Sequence, residues 1–239
     1  MLGIFLSFET MKIEREKNQT KNPWFIKVIG LGKAYFVKTP WWLRKIYSSY
    51  IWKIKTDKRV LYLSFDDGPH PAATPFILDE LKKYNAKATF FCVGENVVSH
   101  PDIYKRILQE GHAVGNHTYD HLNGWKTKNE IYLQNVAKAA KYIDTDLFRP
   151  CYGRITNYQA KNLNSAMKRK PKVIMWDVLS GDFDPNIKPE EVLKNVLTNS
   201  SPGSIIVFHD NEKTFTTIQY VLPRVLDYFS GRGYLFEKL

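Results

Sequence analysis

Short apolar runs alternate with helix-like segments from residue 61 to residue 236, and this alternation limits the folds open to the chain. Six runs have the length and composition of strands. Repeated strand–helix units predict parallel strands joined by right-handed crossovers, and therefore the α/β class. The six clear strands are expected over residues 61–65, 88–93, 113–115, 173–178, 205–208 and 234–236.

Five helices are expected between these strands. The first opens at Thr74, which we expect to cap it, with Pro75 at the first helical position. The second begins at Pro101 and ends before Gly111, a residue type that favours a helix C-terminus. The other three are expected over residues 128–143, 189–197 and 218–229.

Two adjacent carboxylates, Asp66 and Asp67, end the first expected strand and precede Gly68. Adjacent acids repel each other, so a fold with no use for them would separate or solvate them. A cation that neutralises one carboxylate leaves the other to accept a proton. A pair of this kind before a glycine is more often a simple turn, so the pair alone decides little.

Two histidines, His117 and His121, follow another expected strand. On one helical turn, residues four apart face the same way, and two imidazoles at this spacing bind a single divalent ion. With Asp67 they make three ligands, which leaves a position open for water or substrate, as in catalytic sites. This ligand set suits Zn²⁺, with Co²⁺, Ni²⁺ and Mn²⁺ as alternatives. Taken alone, the histidine pair would more often be a solvated helix face.

Three further segments contain polar residues directly after apolar runs. They are Phe148-Arg149-Pro150-Cys151-Tyr152-Gly153, Trp176-Asp177-Val178-Leu179-Ser180-Gly181-Asp182-Phe183 and Ser204-Ile205-Ile206-Val207-Phe208-His209-Asp210. With the two segments above, in this order, the chain resembles the NodB-homology polysaccharide deacetylases, carbohydrate esterase family 4. The resemblance covers residues 58–239. It implies an irregular (β/α) barrel of about seven parallel strands.

The resemblance also implies a role for each matching residue. Asp66 would be the general base, and Asp67, His117 and His121 the metal ligands. Arg149 would orient the base, and Tyr152 would donate its backbone N–H to the oxyanion. His209 would be the general acid, with Asp182 accepting its other ring N–H, in preference to the nearby Asp177 and Asp184. Phe183 would help to shape the substrate groove.

The chain departs from the family pattern at five positions. Ser64 replaces a commoner Thr, Cys151 a commoner Pro, and Val207 a commoner Leu. Leu179 replaces a frequent Asp and Phe183 a frequent Trp, so the fourth segment is degraded. None of these changes removes an implied ligand, base or acid. They leave open which sugar is bound.

Positive charge is concentrated at the N-terminus. The chain has 35 basic and 24 acidic residues, a net charge of +11. Residues 1–59 contain thirteen Lys or Arg and four acids, a net of +9, so residues 60–239 have a net of only +2. We therefore divide the chain into a basic, aromatic-rich extension, residues 1–57, and a catalytic domain, residues 58–239.

The extension holds four of the six tryptophans: Trp24, Trp41, Trp42 and Trp52. Basic residues interleaved with aromatic ones suit contact with an anionic membrane or with the cell wall. The alternative is that these aromatic residues pack beneath the barrel. The sequence predicts neither a transmembrane helix nor a signal peptide, so the compartment stays open, with the cell envelope favoured by a wall-directed substrate.

The expected activity is removal of N-acetyl groups from sugars of a polysaccharide, with release of acetate. Peptidoglycan, chitin-like oligomers and exopolysaccharide are all open as substrates, and no nucleic-acid partner is expected. Two alternatives remain. The chain could hydrolyse a small or non-carbohydrate amide, or it could be a catalytically silent glycan-binding relative.

Overall fold

The computed structural model describes residues 35–239. Residues 37–239 form one compact unit. Trp24, the expected absence of a signal peptide and most of the basic extension lie outside the described residues. The division at residue 57 therefore stays a prediction.

Eight parallel-paired strands form the centre of the described structure. Seven follow one path in the order β5-β4-β3-β2-β1-β7-β6, and β8 pairs with β1. The expected irregular (β/α) barrel of about seven parallel strands is confirmed. The strands are β1 Val60–Asp66, β2 Ala88–Cys92, β3 Ala113–Asn116, β4 Leu147–Phe148, β5 Lys172–Val173, β6 Val178–Leu179, β7 Ile205–His209 and β8 Leu235–Phe236.

Helices connect most of these strands, as parallel pairing requires. The last, α8, is the longest and presents an apolar face to the sheet from Ile218 to Phe229. The helices are α1 Trp41–Ile46, α2 Ala73–Lys83, α3 Gly94–Ser99, α4 Pro101–Gln109, α5 Asn129–Ala139, α6 Asn157–Met167, α7 Pro189–Asn199 and α8 Phe215–Ser230.

The central strand β1 is buried almost throughout, as is usual for a parallel strand covered on both faces. Phe65 stacks between Phe90 of β2 and Phe208 of β7, with ring centroids 5.2 and 5.9 Å apart. This aromatic layer fixes the register of the three central strands. Asp66 is consequently held level with His209, its Cα partner on β7.

The expected strand over residues 173–178 is wrong, because two short strands replace it. β5 ends at Val173 and β6 begins at Val178. Between them the Ile174 and Met175 carbonyls accept hydrogen bonds from the Arg149 side chain at 3.2 and 3.1 Å. The buried Arg149 guanidinium thus forms hydrogen bonds with backbone carbonyls that a continuous strand would use to pair with its neighbours.

Three helices, α1, α3 and α6, were not expected from the sequence. The start of α6 does have a local signal, a capping box in which Thr156 and Gln159 exchange side-chain and backbone hydrogen bonds. The start of α2 also differs from expectation. The helix begins at Ala73, and the His70 ring nitrogen Nδ1 accepts the Ala73 N–H at 3.1 Å, so Thr74 is not the cap.

Residues 37–56 pack against the sheet. Lys38, Ile51 and Lys53 form isolated bridges with residues 178, 174 and 204. Trp52 is buried with Leu43 in a second apolar cluster, whereas Trp41 is 69% exposed. Across residues 35–239, no helix has the length and apolar character needed to cross a bilayer.

Candidate active site

The predicted site residues lie together at the carboxyl edge of the sheet. Asp66 and His209 are the last residues of β1 and β7, His117 follows β3, and Arg149 follows β4. Asp182 lies three residues beyond the end of β6. Parallel strands present their carboxyl ends on one side, so residues distant in sequence meet there.

Asp66 is paired with a buried arginine. Its Oδ1 accepts a hydrogen bond from Arg149 Nη1 at 2.6 Å, and the two side chains are 6% and 0% exposed. The same Nη1 donates to the Ser64 hydroxyl at 2.9 Å, and the guanidinium stacks 3.9 Å from the Phe91 ring centre. Serine in place of threonine therefore keeps the hydroxyl that this arginine uses. The buried arginine therefore holds the Asp66 carboxylate in one orientation.

Three potential ligand atoms converge beside this pair. Asp67 Oδ1 lies 3.1 Å from His121 Nε2 and 3.7 Å from His117 Nε2. His117 Nδ1–H donates to the Arg149 carbonyl at 2.7 Å, which leaves the Nε2 lone pair free. His121 Nδ1 lies 3.2 Å from the Tyr152 hydroxyl, and in the tautomer that donates to this oxygen its Nε2 is also free. Partners of this kind orient histidine ligands in metal sites.

The two histidines do not lie on a helical turn, so that expectation is wrong. Residues 117–121 form an irregular loop after β3, with Thr118 and His121 at φ of 63° and 54°. The Asn116 and Asn135 side chains hold this loop by accepting the backbone N–H groups of Thr118, Tyr119 and Asp120. The ring centroids still come within 5.2 Å of each other.

The chemistry of this donor set fits a divalent cation. Asp67 Oδ1 is buried and receives no hydrogen bond from any described residue, an arrangement that is costly without a ligand. Burial raises the pKa of the Asp67 carboxyl, but the neighbouring His121, His209 and His117 rings outweigh it, and the net pKa is lowered. Burial lowers the pKa of His117 to about 4, so its ring is neutral near pH 7. A carboxylate and a neutral imidazole are the forms that bind metal.

Cys151 offers a sulfur close to both histidines. Its Sγ and one ring nitrogen from each of His117 and His121 lie within 4.8 Å of one another. The thiol already donates to the His117 carbonyl at 3.2 Å, and burial raises its pKa well above the usual value. A neutral thiol is a poor ligand, so Asp67 is the better third ligand.

His209 is bound to a carboxylate on its far side. Asp182 Oδ1 lies 2.8 Å from His209 Nδ1, and Asp182 Oδ2 accepts the His209 backbone N–H at 2.7 Å. Burial alone would lower the pKa of His209, but Asp182 more than offsets it and raises the pKa to about 10. The ring is therefore protonated near pH 7, with Nε2–H available as a proton donor. Asp177 is bound instead to Lys38 and Ser204.

Two exposed aromatic residues flank the charged groups. Tyr152 is 61% exposed, has φ of 60°, and its backbone N–H donates to none of the described residues. Phe183 is 41% exposed and meets the His209 ring edge-on, with centroids 5.3 Å apart. The two partly exposed rings therefore border the charged groups on either side of the site.

Sequence reasoning missed two residues that follow His209. Asn211 Nδ2 donates to Asp67 Oδ2 at 2.7 Å, so Asp67 is left with Oδ1 facing the histidines. Asp210 accepts the Gly68 N–H at 2.8 Å, and a Cβ built on Gly68 would lie 1.9 Å from Asp210 Oδ2. No local pattern indicates either contact, because each joins residues more than 140 positions apart.

Comparison with known proteins places these features in context. A model of the polysaccharide deacetylase family matches residues 53–170. Two peptidoglycan-N-acetylglucosamine deacetylases of Bacillus cereus are 38% identical over 174 residues and 30% identical over 194 residues, covering 70% and 77% of this chain. The chain spans 61% of the length of the first relative and 88% of the second.

A solved structure agrees with the sequence relatives. The crystal structure of the Bc1960 peptidoglycan N-acetylglucosamine deacetylase, in complex with a naphthalenyl N-hydroxybenzamide, superimposes with a TM-score of 0.75. The two chains are 34% identical, and the match covers 84% of this chain and 95% of the other.

Proposed function

Because the chain belongs to the polysaccharide deacetylase family, we propose that it is a metal-dependent hydrolase of N-acetylated sugars in a polysaccharide. Its reaction joins one water to an acetamide, releases acetate and leaves a free amine on the sugar. The named relatives favour peptidoglycan among the substrates. One observation carries the proposal. The Asp66–Arg149 pair and the Asp182–His209 pair flank the three converging ligand atoms of Asp67, His117 and His121.

The side chains divide the proton transfers between them. Asp66, oriented by its hydrogen bond from Arg149, accepts a proton from the attacking water. The negative charge that forms on the former carbonyl oxygen is stabilised by the Tyr152 backbone N–H. His209 then gives its Nε2 proton to the leaving nitrogen, which is necessary because an amine anion is a very poor leaving group. Asp182 keeps His209 protonated for this step.

Asp67, His117 and His121 are the residues that would hold the metal. When bound, a divalent cation supplies positive charge that acidifies the attacking water and polarises the acetamide carbonyl. Zn²⁺ suits one carboxylate and two imidazoles, and Co²⁺, Ni²⁺ or Mn²⁺ are the alternatives.

The test measures acetate release from peptidoglycan and from N-acetylglucosamine oligomers, with chelator and after each metal is restored. Chelation should abolish release and one of the four metals should restore it. Asp66→Asn should abolish turnover while metal binding, followed by equilibrium dialysis, persists. Asp144→Asn changes an exposed, remote carboxylate and should leave turnover unchanged.

Each alternative has its own outcome in this assay. Turnover in Asp66→Asn close to that of the unaltered chain would remove Asp66 as the base. Release from small amides but from neither glycan would identify a deacylase of another substrate class. Metal-loaded protein that binds glycan and releases no acetate would identify a silent relative.

We also propose that residues 1–57 contact an anionic membrane or the cell wall, and that the protein works in the cell envelope. Support comes from Trp41 and Ile46, which are 69% and 51% exposed next to the exposed Lys45. Trp52 follows the other expectation and packs beneath the sheet. Sedimentation with anionic vesicles should weaken when residues 1–35 are removed. Unchanged sedimentation would contradict membrane contact by those residues.

A further inference from the structure

An exposed tryptophan, Trp125, and an arginine, Arg154, contact each other close to Tyr152. Trp125 lies four residues after His121 and is 38% exposed. Its indole Nε1–H donates to the Ile155 carbonyl at 3.2 Å, and the Arg154 guanidinium carbon lies 5.3 Å from its ring centre. Arg154 is itself two residues after Tyr152, whose ring centroid is 4.8 Å from that of His121. Each member of the pair thus lies within four residues of one of these two contacting rings.

This pair is held by a buried amide. Gln159 is fully buried, and its Nε2 donates to the Gly124 carbonyl at 2.8 Å while its Oε1 accepts the Thr156 N–H at 3.0 Å. A Cβ built on Gly124 would lie 2.4 Å from the Arg154 carbonyl oxygen. The two loops that present Trp125 and Arg154 are thus locked together before any ligand arrives, which lowers the entropic cost of binding.

Arg154 differs from the other half-buried arginines in its charge partners. Arg44 and Arg106 each pair with a carboxylate, at 3.3 and 2.5 Å. Arg154 forms no ion pair with any residue from 35 to 239, and its guanidinium instead lies over the Trp125 ring. A guanidinium that lies near a reaction site and pairs with no carboxylate among residues 35–239 is suited to a carboxylate on the substrate, which it can bind through two hydrogen bonds.

We propose that Trp125 and Arg154 form a subsite for a carboxylate-bearing unit of the glycan, adjacent to the sugar that loses its acetyl group. The indole face packs on the apolar face of the sugar ring, and the guanidinium binds the carboxylate. The subsite selects acidic polymers, of the peptidoglycan type, over neutral chitin-like oligomers. This inference rests on the proposed deacetylase function.

The test compares KM and kcat on three glycans: peptide-bearing peptidoglycan strands, strands freed of peptide so that the lactyl carboxylate is exposed, and neutral N-acetylglucosamine oligomers. Arg154→Gln should raise KM about tenfold on an acidic glycan, leave kcat unchanged, and leave both constants unchanged on the neutral oligomer. The acidic glycan that responds identifies the carboxylate. Trp125→Ala should raise KM on all three.

Arg232→Gln is the matched control, because Arg232 also stacks on an aromatic ring, at 3.5 Å from Tyr228, but lies two residues beyond the end of α8. It should change neither constant. An Arg154→Gln effect that is equal on acidic and neutral glycans, or absent from both, would overturn the subsite.

Binding separates failure of this inference from failure of the deacetylase function. Should no glycan be turned over, cosedimentation with insoluble peptidoglycan is measured at low and high salt. Salt-sensitive binding that Arg154→Gln weakens about tenfold would support the subsite without the activity. Binding that Arg154→Gln leaves unchanged would refute the subsite.

Discussion

Replacing Arg149 by methionine tests whether the buried pair at the site is held by charge. Arg149→Met keeps an apolar stem in a fully buried position but leaves the Asp66 carboxylate, whose side chain is 6% exposed, without the cation that donates a hydrogen bond to it. Removing one partner of a buried ion pair costs about 3–5 kcal/mol of unfolding free energy. For a chain of this length, each kcal/mol lowers the melting temperature by about 2–4 °C. We therefore expect a fall of about 6–20 °C.

A double variant isolates the charge. Arg149→Met also removes two hydrogen bonds to the Ile174 and Met175 carbonyls and the stacking on Phe91. Those losses occur equally in Arg149→Met and in the double variant with Asp66→Asn, so they cancel when the free energies of unfolding of these two proteins are compared. The second change removes the stranded anion, so the double variant should be about 2–3 kcal/mol more stable than the sum of the single changes predicts.

Thermal unfolding followed by near-ultraviolet circular dichroism measures the four proteins, all in chelator, so that metal binding adds nothing to stability. Asp144→Asn in the Arg149→Met background serves as a control, since the Asp144 side chain is 89% exposed and should restore nothing. Strictly additive losses for the Asp66 and Arg149 changes would refute the argument, because a stranded buried charge must be relieved by neutralising it.

Two further substitutions have effects of predictable direction, one on metal affinity and one on the pH dependence of stability. Asn211→Ala should weaken Zn²⁺ binding about 10- to 100-fold in a chelator competition, because Asp67 loses the donor that orients its carboxylate. The control Asn162→Ala, on an exposed helix face, should leave Zn²⁺ affinity unchanged. Equal affinities for the two variants would show that Asn211 does not orient Asp67. Burial lowers the pKa of His112 to about 4, and its Nδ1 accepts the Ala88 N–H. Because the unfolded ring titrates near pH 6.5, this contribution to stability is complete above that pH and is lost as the pH falls from about 6.5 to about 4, by at most about 1.4 kcal/mol per pH unit. In His112→Gln, the unfolding free energy measured in urea should depend less on pH between about 6.5 and about 4. An unchanged pH dependence would contradict the assignment of this loss of stability to His112.

The order of elements was readable from the sequence because helix and strand periodicity are local properties. Strand β2 and helices α4 and α7 begin at the expected residues, and the proline at the start of each helix supplied the signal. Local signals failed where a distant group competes for the backbone. The expected strand over residues 173–178 is interrupted because the Arg149 side chain binds the carbonyls at its centre.

The features of the site likewise fall into those that the sequence indicated and those that it did not. The sequence supplied the residue types, their order, and their positions directly after strands, which is why Asp66, Asp67, His117 and His209 could be named together. It gave the wrong local geometry for His121, whose backbone has positive φ in a loop held by Asn135.

What the sequence by itself determined is which chemical groups are available and on which strand each one ends. Only the tertiary structure decided their orientation, because orientation depends on contacts such as that of Asn211 with Asp67, 144 residues apart. The tertiary structure also placed Arg154, which pairs with no carboxylate in the described part of the chain, beside the exposed Trp125. Such contacts follow from sheet order and loop packing, which no short window of sequence encodes.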